Sequence, residues 1–365
     1  MQFIDINALY QAYKSEIDHR MQKVLDEGRF IMGPEVQEIE QVLADYVGVG
    51  HCITTGSGTV SLEIALRALG IGPGDEVITV PFTWISTAEV IAQVGARPVF
   101  VDIEPETYNL DASLLEAAIT EHTKAIMPVS LFGQMPDFSA IQAVASRHGI
   151  PVIEDAAQSF GATQGGRRSG GVSAIGSTSF FPAKPFGCFG DGGALFTDDG
   201  ELAEKMAMVR NHGCKVRHDH PMIGLNGRFD TLQAAVLLAR FPHFEKEVVA
   251  RQRVGQRYDE LLAGICSTPV TRAGNTHVYA QYTIRVDDRD GLQAWAKEQG
   301  VPMAVYYPAC VHQQPAYQAY CLPDLSLPVS EKAAREVISL PMHPFLTEAD
   351  QVKVAEVIQA FVKRG

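Results

Sequence analysis

A lysine between two prolines is the first candidate for chemistry in this chain. Lys184 lies in the sequence SFFPAKPFGCFGDGGA, residues 179–194. The prolines and glycines block a helix here and predict a rigid, irregular turn. A lysine amine forms imines with carbonyl cofactors when it is kept partly deprotonated. Lys184 is therefore a candidate for covalent catalysis, although this stretch by itself also fits a solvated loop lysine.

A second candidate, Asp155, follows an apolar strand pattern in the sequence VIEDAAQS, residues 152–159. In parallel α/β sheets, ligands bind at the carboxyl ends of the strands. At such a position Asp155 could keep a pyridine nitrogen protonated, which makes the ring an electron sink. The alternative role of this aspartate is a helix N-cap.

Small and hydroxyl residues open a predicted amphipathic helix in the sequence TTGSGTVSLE, residues 54–63. Free amide groups, the helix dipole and hydroxyl groups together favour a bound phosphate. The stretch is not a P-loop, because it lacks the lysine of the GxxxxGK[ST] motif. Helix capping by Ser57 or Thr59 is the alternative.

An aromatic residue follows the next predicted strand. Trp84 lies in the sequence PFTWIST, residues 81–87, directly after the apolar run 76–80. Its indole could stack on a flat heteroaromatic ring. Packing in a core or an interface is the alternative role of such a large side chain.

The elements that must position these residues alternate between about residues 50 and 200. Short apolar runs predict strands and longer amphipathic runs predict helices, which indicates an α/β fold with a mainly parallel sheet. The predicted strands are 76–80, 97–101, 125–129, 152–154, 177–181 and 193–196. The predicted helices are 59–69, 87–94, 113–119, 138–148 and a long one over 244–262.

The remaining chain has an α+β pattern. It predicts strands over 280–286 and 302–306, a helix over 291–298 and a closing helix over 348–363. We therefore expect a large domain over residues 1–245, with an N-terminal segment, and a small C-terminal domain over residues 246–365.

Charge and composition narrow the class of protein. The chain has 365 residues, 46% hydrophobic and 20% charged, and 30 basic against 43 acidic residues leave a net charge of −13. This charge argues against binding to nucleic acid or to an anionic membrane. We see no signal peptide or spanning segment and expect a cytoplasmic protein. The six cysteines form no CxxC pair, so we expect free thiols and no metal site.

Taken in order, the motifs GSGT, PFTW, EDAAQ, SFFPxK and GDGGA resemble those of the DegT/DnrJ/EryC1/StrS sugar aminotransferases. The likeness extends from GPEV at residues 33–36 to LPMHP at residues 340–344. The resemblance implies the α/β fold of the fold-type I pyridoxal-phosphate (PLP) transferases, with a mixed, mainly parallel sheet between helices and a smaller α+β domain. It also implies a homodimer whose sites lie at the subunit interface.

The resemblance implies a role for individual residues. Lys184 would carry PLP as a Schiff base and move the proton, and Asp155 would pair with the pyridine nitrogen. Trp84 would stack on the ring and Gln158 would lie near its phenolic oxygen. Pyridoxamine phosphate would be the intermediate form of the cofactor. The implied cofactor-binding residues are Ser57, Gly58, Thr59, Trp84, Asp155, Gln158, Ser179, Lys184 and Asn226, with Asn226 expected from the partner subunit.

Within the family, the likeness is greatest to a group that aminates C3 of UDP-2-acetamido-2-deoxy-3-oxo-D-glucuronate with L-glutamate as donor. It is carried by FPAKP at 181–185, YNLD at 108–111 and VYAQYT at 278–283. The implied pathway is bacterial surface polysaccharide (O-antigen) synthesis. Arg228 is a candidate for binding a substrate carboxylate, because a guanidinium binds carboxylates bidentately. The other substrate-binding candidates are His212, Tyr307 and His312.

Three other functions remain to be considered. One is amination of a 4-keto-6-deoxy nucleotide sugar. Another is a sugar dehydratase, which Lys184 disfavours because dehydratases of this family typically have histidine there. The third is a non-catalytic regulatory member, which the presence of Lys184, Asp155 and Gln158 together disfavours.

Overall fold

The computed structural model describes residues 1–321 and 325–364. Two helices precede the first strand, and strands and helices then alternate. The helices of this part are α1 Ile6–Glu27, α2 Pro34–Val47, α3 Gly58–Ala68, α4 Ser86–Gln93, α5 Leu115–Ala118, α6 Phe138–His148, α7 Gly200–Arg210 and α8 Thr231–Leu262. The strands are β1 His51–Thr55, β2 Glu76–Thr79, β3 Arg97–Phe100, β4 Thr123–Ile126, β5 Ile153–Asp155, β6 Thr163–Gln164, β7 Arg167–Arg168, β8 Ile175–Ser179 and β9 Gly193–Thr197.

The long strands form one mixed sheet. Its order is β3-β2-β4-β5-β8-β9-β1, since parallel bridges from Ile126 to Val152 and from Val129 to Asp155 join β4 to β5. Strand β9 runs antiparallel to both of its neighbours, and the other strands share one direction. The carboxyl ends of β1, β2, β5 and β8 therefore meet at one edge of the sheet. The predicted mixed, mainly parallel α/β sheet is confirmed.

Helices cover both faces of this sheet. Successive residues of a strand point to opposite faces, and Phe196 of β9 packs with α1, α2 and α8 while Leu195 packs with α3 and α7. Strand β1 repeats the pattern with Cys52 on the first side and Ile53 on the second. Both faces are thus buried, as is usual for a parallel sheet.

Helix α3 begins where it does because of a local cap. The Ser57 hydroxyl accepts a hydrogen bond from the Val60 amide at 3.1 Å, and Gly58 is the first helical residue. Helix α6 is also capped locally. The Asp137 carboxylate accepts a hydrogen bond from the Ala140 amide at its start, and Gly149 adopts the left-handed conformation after its end. The predicted helix over 138–148 has these same bounds.

The C-terminal part contains α9 Arg289–Glu298, α10 Pro328–Glu336, β10 Tyr282–Arg285, β11 Val337–Leu340 and α11 Glu348–Val362. Strands β10 and β11 pair antiparallel, and α9, α11 and the end of α8 pack in one apolar cluster with them. The predicted strand 302–306 is reduced to a single bridge between Ala304 and Ser339. Helix α8 continues across residue 245, so the division into domains at that position stays a prediction.

Two general features of the chain follow from the fold. All six cysteines are free thiols, as predicted. Among the described helices, none has the length and apolar character that crossing a membrane requires.

A buried ion pair on α8 ties this helix to the stretch that contains Lys184. Arg240 donates to the Glu247 carboxylate at 2.8 Å, and the two residues are 1% and 3% exposed. Arg240 also donates to the Gly187 carbonyl, three residues after Lys184. We expect Arg240→Met to lower the free energy of unfolding by about 3–5 kcal/mol, because it leaves a buried carboxylate without its donor.

A urea titration measures this loss, and an exposed ion pair is the control. Arg20 donates to Glu38 at 2.9 Å on the surface. Arg20→Met should change the free energy of unfolding by no more than about 1 kcal/mol. Equal losses in the two variants would contradict the role given to burial of the Arg240 pair.

Candidate active site

A cavity of about 380 Å³ lies at the edge of the sheet where the strands end. It joins side chains that are far apart in the sequence. The predicted site residues in its wall are Ser57, Gly58, Thr59, Trp84, Asp155, Gln158, Ser179, Lys184 and Tyr307. The strand directions explain this convergence, because β1, β5 and β8 all end here.

Lys184 is held by the irregular turn between β8 and β9. Its amide donates to the Phe181 carbonyl at 2.8 Å, and the Cys188 thiol contacts the Phe180 carbonyl at 3.2 Å. Gly187 must be a glycine, since a Cβ there would lie 2.5 Å from the Phe181 oxygen. The residue as a whole is half-buried, and its side chain lines the cavity. Burial lowers the pKa of Lys184, and the nearby Asp155 charge opposes this effect.

Asp155 ends β5 inside the protein. Its Oδ2 accepts from the Thr87 hydroxyl at 2.8 Å, and its Oδ1 accepts from the Ala157 amide at 3.2 Å. Burial raises the pKa of Asp155, while these two hydrogen bonds and the charge of Lys184 lower it. A turn follows Asp155 rather than a helix, so it is not a helix N-cap. An aspartate and a lysine amine thus face one cavity, each destabilised in its charged form by burial.

The start of α3 and the end of β8 form the polar end of the cavity. Gly58 lies so close to Ser179 that a Cβ would come within 2.7 Å of the serine Cβ. The Thr59 hydroxyl is 2.7 Å from that of Ser86. Ser57 both caps α3 and lines the cavity, so capping and a binding role are compatible. Free amides at a helix start suit a phosphate group.

The aromatic and amide residues form a different part of the wall. Trp84 is 57% exposed at the cavity and lies 6.2 Å from Tyr307 between ring centroids. Gln158 accepts from the Phe132 amide at 2.7 Å and donates to the Tyr307 hydroxyl at 3.0 Å. These bonds orient the Gln158 amide in the cavity wall.

The structure leaves four predicted residues outside the cavity wall. Asn226 forms a bridge with Asn211, and Arg228 donates to the Asn211 side chain at 3.0 Å. His212 pairs through its amide with the Leu225 carbonyl at 2.9 Å. All three belong to one irregular segment after α7, and their roles stay predictions.

His312 is placed differently from the sequence-based expectation. It is buried, with its Nε2 3.2 Å from the Glu331 carboxylate and its ring against Phe100. The ring is thus engaged by α10 and β3 and does not line the cavity. Its predicted contact with the substrate has no support in this position.

Several polar residues of this region were not predicted from the sequence, among them Thr87 and Gln281. Thr87 holds Asp155, and Gln281 lines the cavity with its side chain buried. Thr87 follows Trp84 by three residues in the same motif, and this closeness in sequence could have identified it as a site residue. Gln281 lies in the motif VYAQYT, which contributes to the family resemblance without assigning a role to Gln281.

The wall fits a phosphorylated pyridine cofactor with an aldehyde. The amine of Lys184 can bond to the aldehyde, Asp155 can hold the ring nitrogen, and the α3 start can hold the phosphate. The glycine at position 58 allows the start of α3 to lie directly against Ser179, which brings these two phosphate-binding candidates together. Trp84 supplies an aromatic face beside these groups.

The sequence and fold match known proteins over nearly the whole chain. The profile of the DegT/DnrJ/EryC1/StrS aminotransferase family matches residues 11–359. The Pseudomonas aeruginosa UDP-2-acetamido-2-deoxy-3-oxo-D-glucuronate aminotransferase is 53% identical, over 96% of this chain and 97% of its own. The UDP-N-acetyl-3-dehydro-alpha-D-glucosamine 3-aminotransferase of Acidithiobacillus ferrooxidans is 42% identical, over 98% and 96%.

A solved structure supports the same assignment. The structure of S. venezuelae DesV in complex with a ketimine intermediate has a TM-score of 0.97 and 39% identity, and the match covers 100% of this chain and 99% of that one. The motifs, the sheet with its cavity and these matches agree. The chain belongs to the DegT/DnrJ/EryC1/StrS aminotransferase family.

Proposed function

We propose that this protein is a PLP-dependent aminotransferase that transfers the amino group of L-glutamate to C3 of UDP-2-acetamido-2-deoxy-3-oxo-D-glucuronate. The observation that carries the reaction type is the pairing of Lys184 and Asp155 in one cavity. The sugar rests on the 53% identity to the Pseudomonas aeruginosa enzyme of that specificity. A cytoplasmic location and a place in surface polysaccharide synthesis belong to the same proposal.

When bound, PLP supplies an aldehyde that condenses with amines and a ring that withdraws electrons from the substrate Cα. Lys184 provides the amine that holds the aldehyde. Because burial lowers the pKa of Lys184, its neutral form is available for attack and for removal of the Cα proton. Asp155 keeps a proton on the ring nitrogen.

The surroundings of Asp155 decide whether it can do this. Burial alone favours the neutral acid, but the Thr87 hydroxyl and the Ala157 amide both donate to the carboxylate. A protonated ring nitrogen would add a positive charge beside it and favour the ionised form further. Lys184 then returns the proton in the second half of the reaction, when the keto-sugar receives the amine.

The proposal includes a homodimer with shared sites. Large apolar side chains are exposed at the cavity, with Phe181 50% and Trp84 57% exposed. Such side chains favour a protein partner. In a dimer of this kind, Asn226 and Arg228 would reach the cavity of the other subunit, which accounts for their place outside their own.

The test follows the two half-reactions by absorbance. The purified yellow enzyme should lose its visible band when L-glutamate is added and should release 2-oxoglutarate. Addition of the UDP-linked 3-oxo-uronate, generated in situ, should restore the band and yield a 3-amino sugar by mass spectrometry. Recovery of the band with a 4-oxo-6-deoxy nucleotide sugar instead would contradict the proposed sugar substrate but would still support an aminotransferase. A visible band that does not change when glutamate is added would favour the non-catalytic regulatory alternative.

A further inference from the structure

Gln281 brings a buried amide to the cavity wall without an evident structural role for that amide. The residue is 8% exposed and lines the same cavity as Lys184. Its Oε1 is enclosed, and no donor from residues 1–321 or 325–364 bonds to it. A buried polar atom without a partner costs stability. Such an atom beside a cavity indicates a ligand that completes it.

The main chain of Gln281 is anchored beside Gln158. The Gln281 amide donates to the Phe132 carbonyl at 3.4 Å, and the Phe132 amide donates to the Gln158 side chain at 2.7 Å. The two glutamines are therefore attached to the two polar groups of one residue. Strand β10 begins directly after Gln281. The backbone at this point is thus fixed on both sides.

We propose that Gln281 is a specificity-determining residue whose amide hydrogen-bonds a substituent of the keto-sugar ring. This inference rests on the proposed function. A neutral amide matches the acetamido, hydroxyl and carboxyl groups of a sugar, whereas the two carboxylates of glutamate are bound best by arginine. A substrate without the matching group leaves the buried amide unpaired, which is how such sites reject it.

The test compares the two half-reactions in Gln281→Leu, which has similar size and no polar atoms. For the sugar half-reaction we expect kcat/KM to fall about 10-fold to 100-fold, the effect of one lost buried hydrogen bond. The rate of bleaching by glutamate should be unchanged. Gln11→Leu, an exposed change on α1, is the matched control and should alter neither. Equal losses in both half-reactions, or no loss in either, would overturn the proposal.

Thermal stability is a second measurement, and it distinguishes a substrate-binding role of Gln281 from a purely structural one. Removing an unpaired buried amide should leave the thermal midpoint of the cofactor-free protein unchanged or higher. A structural hydrogen-bonding role predicts a lower midpoint. A fall in midpoint together with equal losses in both half-reactions would assign Gln281 to the fold and not to the substrate.

Two 3-oxo sugars identify the group that is bound. If Gln281→Leu loses as much on UDP-N-acetyl-3-dehydro-glucosamine as on the uronate, the partner is a group that both contain. A loss confined to the uronate assigns the carboxyl group. If the wild type uses glutamate but neither 3-oxo sugar, the proposed substrate fails. The variant is then tested on a 4-oxo-6-deoxy sugar, where a loss supports the role of Gln281 and an unchanged rate overturns it.

Discussion

Lys184→Ala is expected to abolish turnover, lowering kcat about 10⁴-fold or more, because one amine both holds the cofactor and moves the proton. The remaining contacts from Ser57, Thr59 and Asp155 should still retain the cofactor. We therefore expect protein-bound PLP after gel filtration, with an absorption spectrum changed from that of the wild type. A coupled assay of 2-oxoglutarate release measures the loss of turnover.

Two control variants separate charge from proton transfer. Lys184→Arg keeps the positive charge beside Asp155 but cannot give up a proton at ordinary pH. It should be as inactive as the alanine variant. Lys205→Ala, on the exposed side of α7, should be fully active. Turnover by Lys184→Arg at a substantial fraction of the wild-type rate would show that another group moves the proton.

Asp155→Asn is expected to lower kcat about 10²-fold to 10³-fold, because an amide cannot stabilise the positive charge on the ring nitrogen. The asparagine keeps the size of aspartate and can still bond to the Thr87 hydroxyl and the Ala157 amide. The cavity should therefore stay intact. Steady-state kinetics of the complete reaction, with glutamate and the keto-sugar both present, measures the effect, and the KM for glutamate should change less than kcat.

The same variant makes a prediction about pH and stability of the cofactor-free protein. Burial raises the pKa of Asp155 in the folded state, so above about pH 4, the usual range for an unfolded aspartate, the folded state binds more protons. The free energy of unfolding of the wild type then falls as pH rises through the folded pKa. Asp155→Asn should lack this decline, so its free energy of unfolding should rise relative to that of the wild type as pH increases.

Urea titrations between pH 4 and 8 test this difference. Asp287→Asn, an exposed change next to β10, is the control and should follow the wild type across the range. A wild-type curve that rises relative to Asp155→Asn between these pH values would mean that the Thr87 and Ala157 hydrogen bonds outweigh burial. Asp155 would then be preorganised as a carboxylate even without the cofactor.

The sequence by itself determined the residues with chemistry and much of the strand and helix order. Lys184 lies between prolines, Asp155 ends an apolar run and Ser57 begins an amphipathic helix, and each of these signals is local. Helix α6 was predicted with its observed bounds because a capping aspartate and a C-terminal glycine flank it. Each local pattern by itself left alternative roles open. Only the resemblance of all the motifs in order indicated the family.

Other elements had no decisive local signal. The prediction placed the start of α8 at residue 244, although the helix begins at Thr231. Its first turns are buried on nearly all sides and contain no amphipathic period, and Pro242 within it is a residue that usually ends a helix. The strand predicted over 302–306 failed for a related reason, because pairing depends on a neighbour and only Ala304 bridges to β11.

Tertiary structure decided which polar side chains reach the cavity. Thr87 contacts Asp155 across 68 positions of sequence, and Gln158 contacts Tyr307 across 149. No pattern within one element records such distances. The same holds for His312, whose ring contacts Glu331 away from the cavity, and for Gln281, whose amide donates to the carbonyl of the distant Phe132. The residue types in each local motif determine which chemistry is available. Which of these residues share one site depends on long-range packing and on the directions of the strands.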